Sequence, residues 1–433
     1  MMQFLFTKTP LIFLVSSFWR DEAFSYLMAR LPVHQLLWST AQDANPPLYY
    51  LLLKLWMSIF GSSEIALRSL SFLFFWATLY VIFLMMKEIF HLNEKKSLLY
   101  LLLFIINPLL HYYAFEARMY SMMAFLATLL FYTIMKKKYR MYAYTALVAL
   151  FTHYFLLIVI AFQVLFVFFT INKKERISFI FPLLKAALWY FPWIVLLLIA
   201  KPPLGQSFWI APSTWKDFAI LPAIILTGYE RDAWIVVSFL SYISLIICTI
   251  VIVGSLKNTT HQKKINFILL LGWALGIPLL IYLISFIKPL FLPRYLIFSS
   301  VGLTLLLIIS LESIANTYIR LVAMGMLVFF LFSYSQIQVL MRTKAPLKKT
   351  FTTIRNEIGV NDVVYVTHEY DFHVAEYYLP TQKVYLYKKT YDELPWFVGK
   401  VLIDKQAFRD TLPSFPTRAF IVNNDGSYSV MAR

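Results

Sequence analysis

The sequence is poor in the residue types on which several familiar kinds of site depend. Cys248 is its one cysteine in 433 residues, so an intrachain disulfide is excluded. Its 11 glycines include no glycine-rich phosphate loop, and its 7 histidines show no metal-site spacing with cysteine. No internal repeat stands out. The apolar residues are therefore the main signal in the chain.

Charged residues make up 14% of the chain, whereas 60% is apolar and the mean hydropathy is +0.69. Soluble domains have a smaller apolar share, so a protein that crosses a membrane several times is predicted. Runs of about 20 apolar residues recur as far as about residue 340 and leave room for about eleven helices. We therefore predict an all-α polytopic membrane bundle over residues 1–340.

The N-terminal apolar segment, about residues 4–18, has the short apolar core of a signal peptide, but no small-residue cleavage site follows it. We interpret this segment as an uncleaved first span.

The tail, residues 341–433, has a different pattern. Alternation of apolar and polar residues predicts strands at 362–367 and 383–387, with a helix at 371–379 between them. Further strands are predicted at 401–403 and 419–422. A small C-terminal α/β domain is expected.

The formal net charge of +17 raises the question of a nucleic-acid partner. The basic residues cluster in short gaps between apolar runs, which is the positive-inside pattern of a membrane protein and argues against nucleic acid. This pattern predicts a cytoplasmic N-terminus, outer loops at 19–64 and 201–232, and an extracytoplasmic tail. The segments around Asp21, Glu116, Asp217 and Arg294 are then on the outer side.

Two adjacent carboxylates, Asp21 and Glu22, follow the first apolar segment. Because acidic residues are costly at bilayer depth, a pair beside the first span suggests a function. The alternative is that they occupy the first turn of a helix, where the helix dipole favours them. Further along the outer loop, Pro46 and Pro47 suit a helix entry and predict an amphipathic helix over 48–60.

Several polar residues on the predicted outer side could serve either the structure or a binding site. Arg68 could extend to the lipid headgroups or meet a phosphate. Glu116 and Arg118 stand two apart, so on one helix they would face different ways and seek different partners. His153 is more typical of a hydrogen-bonded interfacial residue than of a ligand. Arg294, at a predicted helix start, opposes the dipole there, which favours anion binding.

A series of short motifs then appears in a fixed order. They are Trp19-x-Asp21-Glu22-Ala23, Asn45-Pro46-Pro47-Leu48-Tyr49-Tyr50, Ala66-x-Arg68, Glu116-Ala117-Arg118-Met119-Tyr120-Ser121, Thr152-His153-Tyr154 and Pro293-Arg294-Tyr295. The series resembles the C-type (GT-C) membrane glycosyltransferases related to protein O-mannosyltransferases and to the aminoarabinose transferase of lipid A. The resemblance covers about residues 1–340.

The resemblance implies that a sugar moves from a polyprenyl-phosphate carrier to an acceptor on the outer face of the cell (inner) membrane. The acceptor is left open as a glycan, a lipid or a protein. The residue that matches the family's base is Asp21, with Glu22 beside it. This chain has Asn45 where similar proteins often have histidine before the two prolines, and Phe115 where they often have glutamine.

We assign the outer residues to four groups on this basis. The catalytic candidates are Asp21 and Glu22. The candidates for the donor phosphate are Arg294, Arg118, Arg68 and Tyr295. The candidates for sugar or acceptor binding are Glu116, Tyr120, Asn45, Tyr49, His153 and Tyr154. No cofactor is assigned, but a divalent cation is left open, with Glu116, His111 and His153 as its candidate ligands.

Two readings from other classes compete with a transferase. Intramembrane charges also mark the paths of lipid or solute transporters, although those charges usually lie near the bilayer midplane. A non-catalytic, glycolipid-binding homologue is the third reading, since the histidine before Pro46 is missing.

Overall fold

The computed structural model describes residues 6–202, 209–230, 234–255, 261–342 and 344–432. Its helices, in chain order, are α1 Ile12–Val15, α2 Arg20–Arg30, α3 Val33–Gln42, α4 Leu48–Phe60, α5 Glu64–Glu88, α6 Glu94–Ile105, α7 Pro108–Ala114, α8 Tyr120–Met135, α9 Tyr139–Leu150, α10 Phe155–Thr170, α11 Lys173–Ala200, α12 Trp215–Ala219, α13 Leu221–Thr227, α14 Trp234–Ser255, α15 His261–Leu271, α16 Ile277–Ile284, α17 Ile297–Ser313, α18 Thr317–Met341, α19 Leu347–Glu357 and α20 Glu369–Tyr378. Short 3₁₀ segments cover Pro293–Leu296, Trp396–Val398 and Lys400–Leu402, and a π-helical turn covers Gly272–Gly276.

The chain is a multi-pass helical membrane protein. Within the described ranges, six helical segments are long and apolar enough to cross a bilayer, namely Glu64–Glu88, Lys173–Ala200, Val236–Gly254, Lys263–Ile284, Pro293–Ser313 and Thr317–Met341. The bent pair α6 and α7 would make a seventh, and Leu48–Phe60, Tyr120–Met135 and Phe155–Thr170 are shorter apolar helices. The helical membrane bundle is therefore confirmed, whereas the number of about eleven spans stays a prediction.

The N-terminal segment differs from the single spanning helix that we expected there. Within residues 6–18, the backbone is helical at residues 6–8 and again in α1, Ile12–Val15, and it is extended at the C-cap Ser16. Pro10 interrupts the helical hydrogen bonding before α1, since it has no N–H to donate. The chain thus reaches α2 through a kinked, partly extended lead.

Two local predictions are confirmed. Helix α4 has the predicted bounds, Leu48–Phe60, and begins directly after Pro47. The pair Asn107-Pro108 predicts a break in the helix there, since proline cannot continue a helix without disruption, and the structure has a bend of 74° between α6 and α7. There the side chain of Asn107 accepts a hydrogen bond from the Leu110 N–H and donates one to Ser300 Oγ at 2.9 Å. The bend leads the chain into the non-helical segment 115–119, which carries Glu116 and Arg118.

The tail contains the expected small sheet, in the order β3-β2-β1-β4-β5. The strands are β1 Val363–Val366, β2 Lys383–Tyr387, β3 Phe408–Arg409, β4 Ala419–Val422 and β5 Tyr428–Met431. The pairs β1–β2, β1–β4 and β2–β3 are parallel, and β4–β5 is antiparallel. The strand predicted at 401–403 is wrong, because residues 400–402 form a 3₁₀ turn. Helix α19 and the short strands β3 and β5 were not predicted.

The tail packs against α2 through its helix α20. The ring of Tyr26 lies 4.9 Å from that of Tyr377, and the ring of Phe24 lies 5.9 Å from that of His373. Gly399 allows a close approach at this junction, because a Cβ there would lie 2.6 Å from Phe24 Cδ2 and 2.7 Å from His373 Nε2. Its φ of +81° also favours glycine. The segment 396–399 is thereby held against α2.

A buried ion cluster fixes α2, α5 and the start of the tail to one another. The carboxylate of Glu22 accepts hydrogen bonds from Arg68 Nε and Nη2, both at 2.7 Å, and from Lys344 Nζ at 2.7 Å. The Ala117 N–H donates a further bond at 3.1 Å. The remaining donors of Arg68 bond to backbone carbonyls of residues 14, 16 and 17. Every lone pair of this buried carboxylate is thus used inside the protein.

Removing the charge of Glu22 is expected to destabilise the fold strongly. In Glu22→Gln, the buried guanidinium and ammonium groups lose their counter-ion, a loss typically worth about 3–5 kcal/mol. Thermal unfolding in detergent, followed by tryptophan fluorescence, would register this as a clear fall in melting temperature. The matched control is Glu94→Gln, which breaks an exposed pair with Lys87 at 3.2 Å and should have little effect. Equal melting temperatures for the two variants would contradict the role given to the cluster.

Candidate active site

A cavity of about 910 Å³ lies where α2, the segment before α4, the start of α10, the segment 287–295 and the tail meet. The cavity is lined by several residues that the sequence analysis assigned to the site, namely Asp21, Asn45, Arg118, Tyr120, His153, Tyr154, Arg294 and Tyr295. Other lining residues include Arg20, Asp43, Trp209, Lys288 and the tail segment 396–399. Four basic side chains, Arg20, Arg118, Lys288 and Arg294, face two acidic ones, Asp21 and Asp43, an excess of two positive charges. The cavity is suited to an anionic ligand.

Asp21 lies in the first turn of α2 among three guanidinium groups. Its carboxylate is 2.8 Å from Arg20 Nη2, and the other oxygen is 3.9 Å from Arg294 Nη1. Arg118 Nη1 donates to the Asp21 backbone carbonyl at 3.4 Å. Burial alone would raise the pKa of Asp21, but Arg20, Arg118 and Arg294 outweigh it and hold that pKa well below its usual range. Asp21 is therefore an anion at every physiological pH.

Arg118 and Arg294 are buried and keep hydrogen-bonding capacity. Each has an Nε that makes no hydrogen bond within the described part of the chain. The guanidinium of Arg294 lies 4.9 Å from the ring centroid of Trp209 and 5.8 Å from that of Trp19. Since a guanidinium presents a fork of donors that matches phosphate oxygens, two such groups at one cavity form a candidate phosphate site.

Asp43 is a second carboxylate in the cavity and was missing from our predicted site. Its Oδ2 accepts a hydrogen bond from Asn45 Nδ2 at 2.6 Å. Burial raises the pKa of Asp43 to about 7, despite the opposing effects of Asn45, Arg118 and Arg20. The two carboxylates of the cavity thus differ in protonation near neutral pH, with Asp21 ionised and Asp43 close to its midpoint.

A further wall of the cavity consists of aromatic side chains that carry polar groups. Tyr295 lies 5.4 Å from the ring of His153 and 6.3 Å from that of Tyr120, measured between centroids. His153 Nδ1 accepts a hydrogen bond from the Phe155 N–H at 3.2 Å, which places the proton of the neutral ring on Nε2. Burial and then Arg118 lower the pKa of His153 to about 3, so the ring stays neutral. Trp193 Nε1 donates to Tyr154 Oη at 3.4 Å.

Five predicted site residues do not line this cavity, and the structure gives a physical reason for four. Glu22 and Arg68 neutralise each other in the buried cluster. Tyr49 is fully buried, with its hydroxyl 3.4 Å from Ser71 Oγ. His111 packs on Phe115, with their ring centroids 5.0 Å apart.

Glu116, the fifth, is almost fully buried in segment 115–119. Neither of its carboxylate oxygens makes a hydrogen bond within the described residues. Burial raises its pKa to about 7, and the nearby Glu22 adds to this while Lys344 opposes it. The spacing argument assumed one helix, whereas Glu116 and Arg118 lie in a non-helical segment; among the described residues, their side chains make no hydrogen bond with each other. Their closest link is a backbone bond from the Arg118 N–H to the Glu116 carbonyl at 2.7 Å.

The residues do not form a donor set for a metal. Among the described residues, no three His, Cys, Asp or Glu side chains cluster closely enough to hold an ion. Of the candidate ligands, His153 uses Nδ1 for a backbone bond, and His111 and Glu116 lie outside the cavity lining. No step is therefore derived through a cation.

Some of the cavity residues that were not predicted lie close in the sequence to residues that were. Asp43 stands two residues before Asn45 in the same outer segment, and Arg20 adjoins Asp21. The neighbouring motifs could therefore have indicated Asp43 and Arg20. The tail segment 396–399 carries no such signal, because its place in the cavity depends on how the tail docks. Parts of the predicted outer loop 201–232, namely residues 203–208 and 231–232, lie outside the described residues.

The two cavity carboxylates predict opposite stability effects for two matched variants. Folded Asp43 holds its proton up to about pH 7, whereas the unfolded chain releases it near pH 4, so its contribution to stability falls as the pH rises between these values. Asp43→Asn cannot ionise, so its stability relative to wild type should grow by roughly 1–2 kcal/mol from pH 5 to pH 8.

Asp21→Asn is the control for that measurement. The pKa of Asp21 is depressed, so its contribution is fully present above the unfolded pKa of about 3.8 and is lost in stronger acid. Asp21→Asn should therefore be less stable than wild type by an amount that does not change between pH 5 and pH 8. Melting temperatures of the three proteins across this range test both statements. A constant difference for Asp43→Asn would contradict the assigned pKa.

Comparison with known proteins supports the fold. No protein-family model matches the chain, and no curated protein matches it. Among solved structures, it is similar to ArnT from Cupriavidus metallidurans in the apo state, with a TM-score of 0.62 and 12% identity over 95% of this chain and 91% of that one. It is also similar to the same ArnT bound to undecaprenyl phosphate, with a TM-score of 0.63 and 11% identity over the same shares.

These similarities cover nearly the whole chain, bundle and tail alike, at an identity that establishes fold alone. The resemblance to the C-type glycosyltransferases that the motifs indicated is thereby confirmed at the level of structure. The chain has the fold of ArnT, an aminoarabinose transferase of the GT-C family.

Proposed function

We propose that this protein is a membrane glycosyltransferase that moves a sugar from a polyprenyl-phosphate carrier to a hydroxyl group of an acceptor. The observation that carries the proposal is the pair of buried arginines, Arg118 and Arg294, each with an unbonded Nε among the described residues, beside an ionised Asp21 in one large cavity. The ArnT structure with bound undecaprenyl phosphate, which shares this fold, supports the choice of lipid.

The donor phosphate is assigned to Arg294 and Arg118, with Tyr295 beside them. When the bond between the anomeric carbon and the phosphate oxygen breaks, the electron pair leaves with the phosphate. The two guanidinium groups would stabilise the charge that develops there, which is the largest contribution that such a site can make. Arg68 has no part in this step, because Glu22 and backbone carbonyls use its donors.

Asp21 is assigned as the base. The acceptor oxygen forms a bond to the anomeric carbon and gives its proton to the Asp21 carboxylate. Asp21 is a weak base because of its arginine neighbours. A weak base suffices if the transition state resembles an oxocarbenium ion, since the attacking hydroxyl becomes strongly acidic as the new bond forms. Glu22 is left out of the chemistry, since its oxygens are all bonded in the buried cluster.

Asp43 is a second candidate for the base, favoured by its pKa near 7, where a carboxylate accepts a proton more readily. The pH dependence separates the two. With Asp43 as the base, the rate would fall as the pH drops through about 7. With Asp21 as the base, the rate would not fall in this pH range.

The sugar and the acceptor are assigned to the polar wall of the cavity. Neutral His153 has an Nε2 proton to donate, and Tyr120, Tyr154 and Asn45 add hydroxyl and amide groups that match sugar hydroxyls. Glu116, which does not line the cavity, and Tyr49, which is fully buried, are not assigned to this wall.

The membrane arrangement remains a proposal. We place the cavity on the outer side of the cell (inner) membrane, with the N-terminus in the cytoplasm, about eleven spans, and the tail outside, as the positive-inside pattern predicts. Exposed apolar residues at the cavity, above all Ile287, which is 91% exposed, suit contact with lipid and a polyprenyl chain. The acceptor is a glycan, a lipid or a protein.

Loss of the Asp21 carboxylate is expected to stop transfer without preventing donor binding. Asp21→Asn should lower the transfer rate by about 10²–10⁴-fold, the usual contribution of a general base. The measurement is sugar transfer by the reconstituted protein from a polyprenyl-phosphate donor, with lipid products identified by mass spectrometry. Asp392→Asn, on the exposed tail surface, is the control. Full activity in Asp21→Asn would favour Asp43, and the absence of transfer in wild type would favour a transporter or a binding protein.

Loss of a cavity arginine should weaken the binding of the carrier lipid. Arg294→Met removes a charge-assisted contact worth about 1.5–3 kcal/mol, so the Kd for undecaprenyl phosphate should rise about 10- to 100-fold. Arg355→Met, on the exposed face of α19, removes the same charge elsewhere and should leave the Kd unchanged. Binding can be measured by ligand-induced thermal stabilisation in detergent. An unchanged Kd in Arg294→Met would remove Arg294 from the phosphate site.

A further inference from the structure

A second, smaller pocket of about 290 Å³ adjoins the cavity. It is lined by Gln42, Asp43, Ala200, Lys201, Tyr391, Trp396, Lys400 and Val401. These residues come from the C-terminal ends of α3 and α11 and from the tail. Asp43 and Trp396 line both spaces, so the pocket and the cavity meet at these two side chains.

The pocket combines two lysines with two aromatic rings. Lys201 is exposed, and Lys400 is half-buried with its Nζ 4.3 Å from the ring centroid of Tyr391. Lys400 Nζ also donates to the Leu394 carbonyl at 3.2 Å, which uses one of its three donors and leaves two. The carboxylate of Asp43 faces the same pocket but is already bonded to Asn45. The positive charge of the lysines therefore dominates the outer part of the pocket.

This composition matches a particular ligand chemistry. Aromatic faces are suited to the apolar C–H face of a sugar ring, and ammonium groups pair with carboxylate or phosphate oxygens. A sugar that carries one acidic group would satisfy both features at once. A neutral lipid would leave the lysines without a counter-charge, and a free anion would leave the rings without a partner.

The position of the pocket indicates which role such a sugar would have in the reaction. The donor phosphate site and Asp21 lie in the larger cavity, and the smaller pocket opens into this cavity past Asp43. A molecule held by Lys201 and Lys400 could extend a hydroxyl group past Asp43 toward the reacting centre. The pocket is thus placed as the acceptor side of a transfer reaction.

We propose that the smaller pocket is an acceptor subsite that binds a saccharide bearing a carboxylate or phosphate group. The proposal rests on the transferase function given above and adds the chemical class of the acceptor. Tyr391 and Trp396 hold the sugar ring, and Lys201 and Lys400 hold its acidic group.

A structural explanation exists for one of the lysines. Lys201 is the C-cap of α11, where a positive charge is favourable to the helix dipole without any ligand. Lys400 has no such reason, since it begins a 3₁₀ turn of three residues. The test therefore needs both lysines and a lysine that is near the pocket but outside it.

Ligand-observed saturation-transfer NMR on the full-length protein in detergent tests the proposal. The probes are glucuronate, glucose 6-phosphate, glucose and inorganic phosphate. Both acidic sugars should bind at least several-fold more tightly than glucose and than inorganic phosphate. In the double variant Lys201→Met/Lys400→Met, their binding should weaken about tenfold, and that of glucose should not change. Preference for only one of the two acidic sugars would decide between carboxylate and phosphate.

Lys405→Met is the matched control, because Lys405 Nζ lies 5.3 Å from the same Tyr391 ring but does not line the pocket. It should bind all four probes like wild type. Equal binding of glucose and the acidic sugars, or unchanged binding in the double variant, would overturn the proposal. If the double variant weakened the binding of inorganic phosphate as much as that of glucose 6-phosphate, this would also overturn it, since the rings would then contribute nothing.

The same proteins distinguish this proposal from the proposed function. Undecaprenyl phosphate should bind the double variant and wild type equally, because its site is assigned to Arg118 and Arg294. If the lipid binds and the acidic sugars show no preference, the subsite is wrong and the transferase proposal stands. If wild type does not bind the lipid, the transferase proposal fails, whatever the sugars do.

Discussion

The structure depends on how two adjacent carboxylates in the first turn of α2 are neutralised. Successive helix residues point about 100° apart, so Asp21 and Glu22 reach different surroundings. Glu22 meets Arg68 and Lys344 in a buried cluster, and a buried charge of this kind is tolerated only when it is fully paired. That pairing fixes the direction of α2 and therefore the place where Asp21 emerges. One residue anchors the helix, and its neighbour faces the cavity.

The electrostatics of the cavity follow from this placement. Asp21 offsets part of the charge of Arg20, Arg118 and Arg294, yet the lining keeps an excess of two positive charges. Burying unbonded guanidinium nitrogens is costly, and folding alone gives no compensation for it. An anionic ligand would supply the missing hydrogen bonds without moving the arginines. The site is thus arranged in advance for charge that arrives with the donor or develops as the phosphate leaves.

The limits of sequence reasoning here are physical. Elements set by local rules were predicted closely, such as α4 after its two prolines and the bend at Pro108, because proline restricts the backbone in any context. The grouping of Asp21, Arg118 and Arg294 was expected from their shared side of the membrane. The pairing of Glu22 with Arg68 in the buried cluster was not expected, since the partner of Arg68 depends on how α5 packs against α2. The composition of the N-terminal segment predicts a span, but composition alone does not show that the helix is interrupted at Pro10.

The docked tail can be understood from the chemistry of the proposed reaction. Water is also a nucleophile, so a site that transfers a sugar must admit the acceptor hydroxyl while it excludes water from the anomeric carbon. On the side of α2, residues 396–399 of the tail form part of the cavity wall. In that wall, Gly399 packs closely against Phe24 of α2, the helix that carries Asp21, and against His373 of α20. A tail fixed to this helix supplies part of the cavity wall and, through Tyr391, Trp396 and Lys400, also lines the pocket that we propose as the acceptor subsite.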